Sequence, residues 1–342
     1  MPLLSVRDLR AWFHTDDGIA RAVDGVSFDV EAGETVGLVG ESGSGKSVTC
    51  LSILRLVPDP PGRIQPGSRA LLDGRDLLAL DEGAMRRVRG NEVSMIFQEP
   101  MTSLNPVWTV GRQIAESVRW HRGASAKEAR ARAAEVVRLV GIPDPEAALD
   151  AYPHQFSGGM RQRAMIAMAL ACEPRVLLAD EPTTALDVTI QAQILELLRS
   201  IQDRMGMAVI LVTHDLGVVA ETAHRIVVMY AGQVVESGRT GAIFREPAHP
   251  YTEGLWRSRP PIEHRAARLP VIPGTVPSAS SWPSACRFHP RCPYAWARCA
   301  AEAPPMLDAG GGRAARCWLL AEPERREGRG YEAAAGHGRF AQ

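Results

Sequence analysis

A phosphate-loop pattern places the strongest constraint on this chain. Residues 35–47 read TVGLVGESGSGKS, a strand-like apolar run followed by G-x-x-x-x-G-K-[ST] before a predicted helix. The glycines let successive backbone N–H groups face phosphates, Lys46 would reach the β and γ phosphates, and the Ser47 hydroxyl would ligate Mg²⁺. The alternative is a chance glycine-rich turn, and the glycine spacing does not fit a dinucleotide-binding loop. The residues predicted to bind nucleotide are Gly40, Glu41, Ser42, Gly43, Ser44, Gly45, Lys46, Ser47 and Val48.

Four short apolar runs each stop at polar or glycine residues. TVGLVG ends at Gly40, VSMIFQ at Gln98, RVLLADE at Asp180 and Glu181, and AVILVTH at His214. Continuous apolar runs are typical of strands covered on both faces, as in parallel α/β sheets. Ligands bind beyond the carboxyl ends of such strands. The sequence therefore predicts an α/β fold with these polar residues gathered at one edge.

These strand-end residues have the chemistry of nucleotide hydrolysis. Asp180 could hold Mg²⁺, and Glu181 could accept a proton from a water that attacks the γ-phosphate. Gln98 could contact Mg²⁺ and that water, and His214 the γ-phosphate. The alternatives are a surface glutamine, a structural histidine, and two acids that cap the next segment, although Pro182 weakens the last of these.

Helical patterns alternate with the strands. Ser125 and Glu128 are spaced as a capping box, and Gly141 marks the end of that helix. The later segment DVTIQAQILELLRSI has one apolar stripe, formed by Ile190, Ile194, Leu197 and Ile201. Residues from about 100 to 160 have mostly helical patterns and interrupt the series of predicted strands. This predicts an inserted helical subdomain.

Composition favours an ordinary cytosolic protein. The formal net charge is zero, so bulk charge does not indicate a polyanionic partner such as nucleic acid. Apolar runs such as MIAMALAC are far shorter than a membrane span, and the start MPLLSVRDLR has no pattern of a secretory signal.

In their order and spacing these motifs resemble the ATP-binding subunits of ABC transporters over about residues 1–240. The resemblance implies an ABC-type P-loop NTPase fold and an ATPase activity with MgATP. It assigns Mg²⁺ to Ser47, Gln98 and Asp180, and catalysis to Glu181, His214 and Gln98. The D-loop TALD ends at Asp187.

The stretch FSGGMRQR resembles the signature motif of that family. The resemblance implies that Ser157, Gly158 and Gly159 close over ATP held by a second subunit, either a copy of this chain or a paralogue. A helix start supports this reading, because its free N–H groups attract phosphate. Phe156 and Met160 stand where the family usually has Leu and Gln. The alternative is a turn that only begins a helix.

An aromatic residue before the phosphate loop usually stacks on adenine in this family. Phe13 in AWFHT matches best, with Trp12 as the rival because strand neighbours face opposite sides. The alternative for both aromatic residues is that they only pack in the core.

The stretches EPMTSLNPVWTVGRQIAE, ADEPTTALDVTIQAQIL and ACRFHPRCPYAWARC resemble the oligopeptide/dipeptide permease ATPases, and the resemblance extends to about Leu320. It implies a motor for peptide uptake that works with two permease subunits and indirectly with an external binding protein, without nucleic acid. The expected location is peripheral, at the cytoplasmic face of the inner membrane. Alternatives are import of nickel, opines or glutathione by the same machinery, or a soluble ABC ATPase that acts on nucleic acid or ribosomes.

Changes of composition predict the domain boundaries. Residues 1–245 would form the nucleotide-binding domain, 246–320 a small irregular C-terminal extension, and 321–342 a flexible tail.

The extension contains four of the six cysteines, Cys286, Cys292, Cys299 and Cys317. A cytosolic setting favours metal over disulfides, but the spacing matches neither common zinc nor ferredoxin patterns. Metal binding therefore stays open on spacing alone. The family resemblance favours a [4Fe-4S] cluster over zinc at these residues.

Overall fold

The computed structural model describes residues 1–99, 103–184, 186–258, 271–327 and 330–331. These residues divide into two compact units. The first unit holds Met1–Ser5, Asp29–Thr35 and the described part of Leu71–Thr213. The second unit holds Val6–Phe28, Val36–Ala70 and the described part of His214–Gln342. Of the predicted tail 321–342, residues 328, 329 and 332–342 lie outside the described residues, and the predicted domain boundaries stay predictions.

The strands are short except for the first two. Their bounds are Leu4–Thr15 (β1), Gly18–Val30 (β2), Thr35–Val39 (β3), Gly62–Ile64 (β4), Arg69–Leu72 (β5), Arg75–Asp76 (β6), Val93–Ile96 (β7), Val176–Asp180 (β8), Ala208–Val212 (β9), Arg225–Tyr230 (β10), Gln233–Arg239 (β11), Leu307–Gly310 (β12) and Arg313–Ala315 (β13).

The helices lie mostly between the strands. Their bounds are Lys46–Ile53 (α1), Glu82–Val88 (α2), Val110–Arg122 (α3), Ala126–Leu139 (α4), Pro145–Asp150 (α5), Gly158–Leu170 (α6), Val188–Met205 (α7), Leu216–Thr222 (α8), Thr240–Arg245 (α9), Pro250–Arg257 (α10) and Ala297–Ala301 (α11). No helix among the described residues is long and apolar enough to cross a membrane.

Three parallel strands form the sheet of the first unit. β8 pairs with β7 on one side and with β9 on the other, and every residue of the three strands is buried. Burial on both faces explains their continuous apolar sequences. The parallel register places the carboxyl ends of these strands, including Asp180, at one edge. The predicted parallel strands are confirmed.

Helices α3 to α6 pack on one another in the first unit. The Ser125 hydroxyl accepts from the Glu128 N–H at 3.3 Å, and the Glu128 carboxylate accepts from the Ser125 N–H at 2.8 Å. This confirms the capping box at the start of α4, and Gly141 follows its end with a φ of 72°. Residues 100–102 of the predicted helical segment lie outside the described residues.

The buried stripe of α7 differs slightly from the prediction. Ile194, Leu198 and Ile201 are buried, whereas Leu197 and Ile190 are half-buried. A helical period of 3.6 residues allows either neighbour at this point, and packing selects Leu198.

The sheet of the second unit mixes parallel and antiparallel pairs. β3 is parallel to β10, β10 is antiparallel to β11, and β13 extends the sheet beyond β11 and is followed by β12. A separate pairing joins β1 and β4, with Phe13 opposite Gly62. The extension 246–320, predicted to be poor in regular structure, thus adds two short strands to the main sheet of this unit.

An aromatic cluster forms the centre of the second unit. Tyr230, Tyr251 and Phe288 are all buried, with ring centroids 4.6 Å apart for the two tyrosines and 5.2 and 5.4 Å from Phe288 to each of them. Such pairs add about 0.5–1.5 kcal/mol beyond the area they bury.

We expect Phe288→Ala to lower the free energy of unfolding by about 3–5 kcal/mol, because the substitution removes apolar contacts and leaves a cavity. Urea unfolding followed by tryptophan fluorescence measures the change. Val271→Ala is the control, since Val271 is 71% exposed, and it should cost less than about 0.5 kcal/mol. Equal losses in the two variants would contradict the role of this cluster.

Candidate functional site

The predicted phosphate loop connects β3 to α1 in the second unit. Gly40, Gly43 and Gly45 have positive φ values of 153°, 77° and 102°. A Cβ at Gly40 would collide with the Met229 carbonyl oxygen, and one at Gly45 with the Ala22 carbonyl oxygen. Glycine is therefore required at these two positions for both conformation and space.

The side chains of the loop fit a nucleotide phosphate. Lys46 is buried and its ammonium group donates to the Gly40 and Glu41 carbonyls at 2.8 and 3.0 Å, so it lies over the loop. The Ser44 hydroxyl is buried and has no hydrogen-bond partner among the described residues. A buried polar atom of this kind is costly unless a ligand or water satisfies it. Ser47 is the second residue of α1, directly after Lys46.

The acidic pair lies at the end of β8 in the first unit. Asp180 is the last residue of the strand and is buried, and Glu181 adopts a left-handed conformation with a φ of 47°. The Glu181 carboxylate accepts from the Thr184 hydroxyl at 2.8 Å and from the Gln98 side-chain amide at 3.2 Å. The structure thus brings together Gln98 and Glu181, two of the predicted catalytic residues.

His214 follows β9 and is exposed. It begins the second unit, and the next residue, Asp215, caps α8 by accepting from the backbone N–H groups of Gly217 and Val218. The roles of His214, Gln98, Asp180 and Glu181 stay predictions.

The predicted signature residues form the start of α6. Ser157 is the N-cap, and its hydroxyl accepts from the Met160 N–H at 3.3 Å. Ser157 and Gly158 are exposed, whereas Phe156 is buried. A Cβ at Gly159 would lie 3.3 Å from the Ile190 side chain, so this helix start packs closely on α7. The motif thus presents the N-terminal end of a helix at the surface of the first unit.

The predicted D-loop residue has a local structural role as well. Asp187 caps α7, since its carboxylate accepts from the Ile190 N–H at 2.9 Å. Ala185 of this loop lies outside the described residues. Gln162 was missed by sequence reasoning: it is buried on α6 and donates to the carbonyl of Pro182, the residue after Glu181. In the sequence it stands between Arg161 and Arg163, so no pattern indicated its burial.

The two aromatic candidates for adenine have different surroundings. Phe13 is half-buried, and a Cβ at Gly62 would lie 2.7 Å from its ring. Trp12 is covered by the Arg21 guanidinium, 5.0 Å from the ring centroid, and its indole nitrogen is buried without a hydrogen-bond partner in the described part of the chain. Stacking of Phe13 on adenine stays a prediction.

The four C-terminal cysteines line one small cavity in the second unit, together with His249 and several aromatic residues. Burial raises the pKa of Cys286 to about 11 and that of Cys317 to about 12, and burial also raises the pKa of Cys292 and Cys299. Within the described ranges, no three His, Cys, Asp or Glu side chains form a group that could hold a metal ion. Apart from the shared cavity, the structure gives no support for the predicted cluster.

Comparison with known proteins identifies the family. The protein-family model for ABC transporters matches residues 23–184. The family model for the oligopeptide/dipeptide transporter C-terminal region matches residues 235–299. A probable peptide ABC transporter ATP-binding protein of Sinorhizobium fredii is 55% identical, over 92% of this chain and 94% of its own. This chain belongs to the ABC transporter ATP-binding proteins.

Two further relatives support the same family assignment. A dipeptide transport ATP-binding protein of Escherichia coli is 52% identical, over 93% of this chain and 96% of its own. An oligopeptide transport ATP-binding protein of Bacillus subtilis is also 52% identical, over 94% of this chain and 97% of its own.

Among solved structures, a dimeric ATP-binding cassette in a post-hydrolysis state with ADP and Pi has a TM-score of 0.62 and 28% identity, over 69% of this chain and 98% of that chain. The predicted P-loop NTPase fold of the ABC type is thus confirmed. This ABC transporter ATP-binding protein is an ATPase coupled to transport.

We expect Gly45→Ala to weaken ATP binding at least about tenfold, because the added Cβ must push the loop away from the Ala22 carbonyl. Titration with a fluorescent ATP analogue measures the effect. Gly33→Ala is the matched control: its φ is also positive, at 70°, but no atom lies within 4 Å of the new Cβ. The control should lose about 1 kcal/mol of stability and keep its ATP affinity. Equal ATP binding by the two variants would contradict the close-packing argument.

Proposed function

We propose that this ABC ATPase powers the import of di- and oligopeptides through a membrane permease. The observation that carries this cargo class is the match to the oligopeptide/dipeptide transporter C-terminal region. The names of relatives that are 52–55% identical over almost the whole chain support it. Import of nickel, opines or glutathione is the nearest alternative.

The residues described above suit hydrolysis of MgATP. The glycines of the loop, Lys46 and the buried Ser44 hydroxyl suit the phosphates. The Ser47 hydroxyl, the Gln98 amide oxygen and the Asp180 carboxylate are oxygen ligands of the kind Mg²⁺ prefers, and the metal would neutralise charge that develops on the phosphates.

Glu181 is the proposed general base. Its contacts with Gln98 and Thr184 fix the direction of the carboxylate. A base must lie within hydrogen-bond reach of the attacking water, and fixing its direction keeps it there. His214 would contact the γ-phosphate.

The exposed start of α6 is proposed to act on a second subunit. Ser157, Gly158 and Gly159 would close over ATP held by the partner's phosphate loop, and Asp187 would lie at the same seam. A helix N-terminus offers unpaired N–H groups and a positive dipole end, which favour a γ-phosphate. The related cassette with ADP and Pi is dimeric, which supports this arrangement.

The remaining partners follow from the importer class. Two permease subunits would receive the motion of the ATPase pair, and an external binding protein would deliver the peptide. The chain would associate peripherally with the cytoplasmic face of the inner membrane. A role on nucleic acid or ribosomes is disfavoured by the zero net charge and by the match to a transporter C-terminal region.

We expect Glu181→Gln to keep ATP binding but to lower the ATP hydrolysis rate at least about a hundredfold, because the amide cannot accept the proton of water. ATP that is bound but not hydrolysed should hold two subunits together as a dimer, and gel filtration in the presence of ATP detects that dimer. Cells that carry only this variant should fail to take up labelled dipeptides.

Glu196→Gln is the matched control, because Glu196 is an exposed glutamate of α7. This variant should hydrolyse ATP and support uptake normally. Normal turnover by Glu181→Gln would refute the assigned base. Normal peptide uptake by cells without this chain would refute the cargo.

We also propose a metal centre at Cys286, Cys292, Cys299 and Cys317. All four line one cavity, yet they form no group that fits a single ion among the described residues. A zinc ion needs all four sulfurs about 2.3 Å from one point, whereas a [4Fe-4S] cluster presents four separate irons. The family resemblance favours the cluster over zinc. Burial raises the pKa of these thiols, and a bound cation would lower it again by stabilising the thiolates.

We expect protein purified without oxygen to be brown and to contain iron and sulfide, which elemental analysis and visible absorption measure. Cys292→Ser should lose the colour and the iron. Cys172→Ser is the control, since Cys172 is buried elsewhere and should leave both unchanged. Colourless, iron-free wild-type protein would remove the cluster.

A further inference from the structure

The phosphate loop carries an acidic side chain in a place built for anions. Glu41 directly follows Gly40, and its side chain is 30% exposed. A carboxylate in this loop would repel the phosphates of ATP unless a cation compensates for it.

That cation comes from the C-terminal region of the second unit, which here means its described residues from 246 onward. The two terminal nitrogens of Arg291 donate to the two Glu41 carboxylate oxygens at 2.7 and 3.0 Å. Bidentate pairs of this kind are the strongest geometry for arginine and carboxylate. We propose that Arg291 neutralises Glu41 and so is a positioning residue that lets the loop accept ATP.

Arg291 is held in place by contacts within the chain. Its side chain is 5% exposed, and its Nε donates to the Pro273 carbonyl at 2.8 Å. One terminal nitrogen also lies 3.4 Å from the Tyr230 hydroxyl. Burial strengthens the pair, because the surroundings screen it less than water does. A fixed guanidinium also holds the carboxylate in one direction.

A second contact holds the backbone at the same residue. The Glu41 N–H donates to the Tyr251 hydroxyl at 2.7 Å, and Tyr251 packs on Tyr230 in the aromatic cluster. The C-terminal region therefore contacts both the side chain and the main chain of Glu41. We infer that this region completes the nucleotide site of the second unit and does not serve only as an appendage.

Another arginine of the region provides a matched control. Arg298 precedes Cys299 as Arg291 precedes Cys292, and it also forms ion pairs. Its partners are Glu302 and Glu322, both within the C-terminal region and outside the phosphate loop. Loss of charge at Arg298 should therefore not alter ATP binding.

The test compares the KM for ATP and the kcat of full-length variants. This inference rests on the proposed ATPase function, so wild-type hydrolysis is measured first, and its absence would overturn the proposed function itself. In an active protein, Arg291→Gln should raise the KM about tenfold with little change in kcat, because the repulsion acts on bound ATP throughout the reaction. Arg291→Lys should restore most of the affinity, and Arg298→Gln should match the wild type.

The second substitution separates charge from structure. Glu41→Gln added to Arg291→Gln should bring the KM back to within about threefold of the wild type, because the repelling charge is gone. A double variant that stays weak, or an Arg291→Gln variant with wild-type KM, would overturn the proposal. If Arg291→Gln does not fold, Glu41→Gln alone decides. The KM should fall because no carboxylate then balances the positive charge of Arg291, and an unchanged or higher KM would overturn the proposal.

Discussion

Close contact between the phosphate loop and two backbone carbonyls underlies the nucleotide site. Glycine at positions 40 and 45 lets the loop approach the carbonyls of Met229 and Ala22, which belong to β10 and β2. The Gly232 N–H, in the turn after β10, donates to the Ser44 carbonyl at 3.0 Å. The loop is therefore shaped by neighbouring backbone as well as by its own turns. Support of this kind lowers the conformational cost of binding phosphate, because the loop is already held in shape.

Two cations balance the charge of the loop, one close to it in the sequence and one far from it. Lys46 lies five residues after Glu41 and caps the loop carbonyls from within. Arg291 comes from 250 residues away and pairs with the Glu41 carboxylate. A loop with Lys46 alone would carry one cation and one anion, whereas Arg291 leaves it with a net positive charge. The C-terminal region thus contributes to the electrostatics of the loop, in addition to the strands it adds to the sheet.

Local patterns in the sequence predicted the local structure well. Apolar runs identified β3, β7, β8 and β9, because strands buried on both faces consist mainly of apolar residues. The capping box of α4 was equally visible, since its residues are three apart. The start of α6 and the edge that holds Gln98 and Glu181 followed from the same reasoning.

Contacts between distant segments could not be predicted in this way. Arg291 reads as one of many arginines, and only folding reveals that it meets Glu41. The choice of Leu198 over Leu197 also depends on neighbouring elements, because both fit the helical period. The cysteines share a cavity although their spacing matches no common ligand pattern, since the intervening turns fold them back on one another.

The backbone at Glu181 explains how two adjacent acids can serve different tasks. In a continuing strand, Glu181 would simply point away from Asp180 to the other face of the sheet. Its left-handed conformation ends the strand and redirects the side chain, at a cost of about 1–2 kcal/mol for a residue other than glycine. The Glu181 N–H donates to the Val212 carbonyl at 2.9 Å and its carbonyl accepts from the Thr184 N–H at 3.1 Å, which offsets that cost. Strain held by several contacts is found at many functional positions, so the conformation agrees with the proposed role of Glu181 as general base.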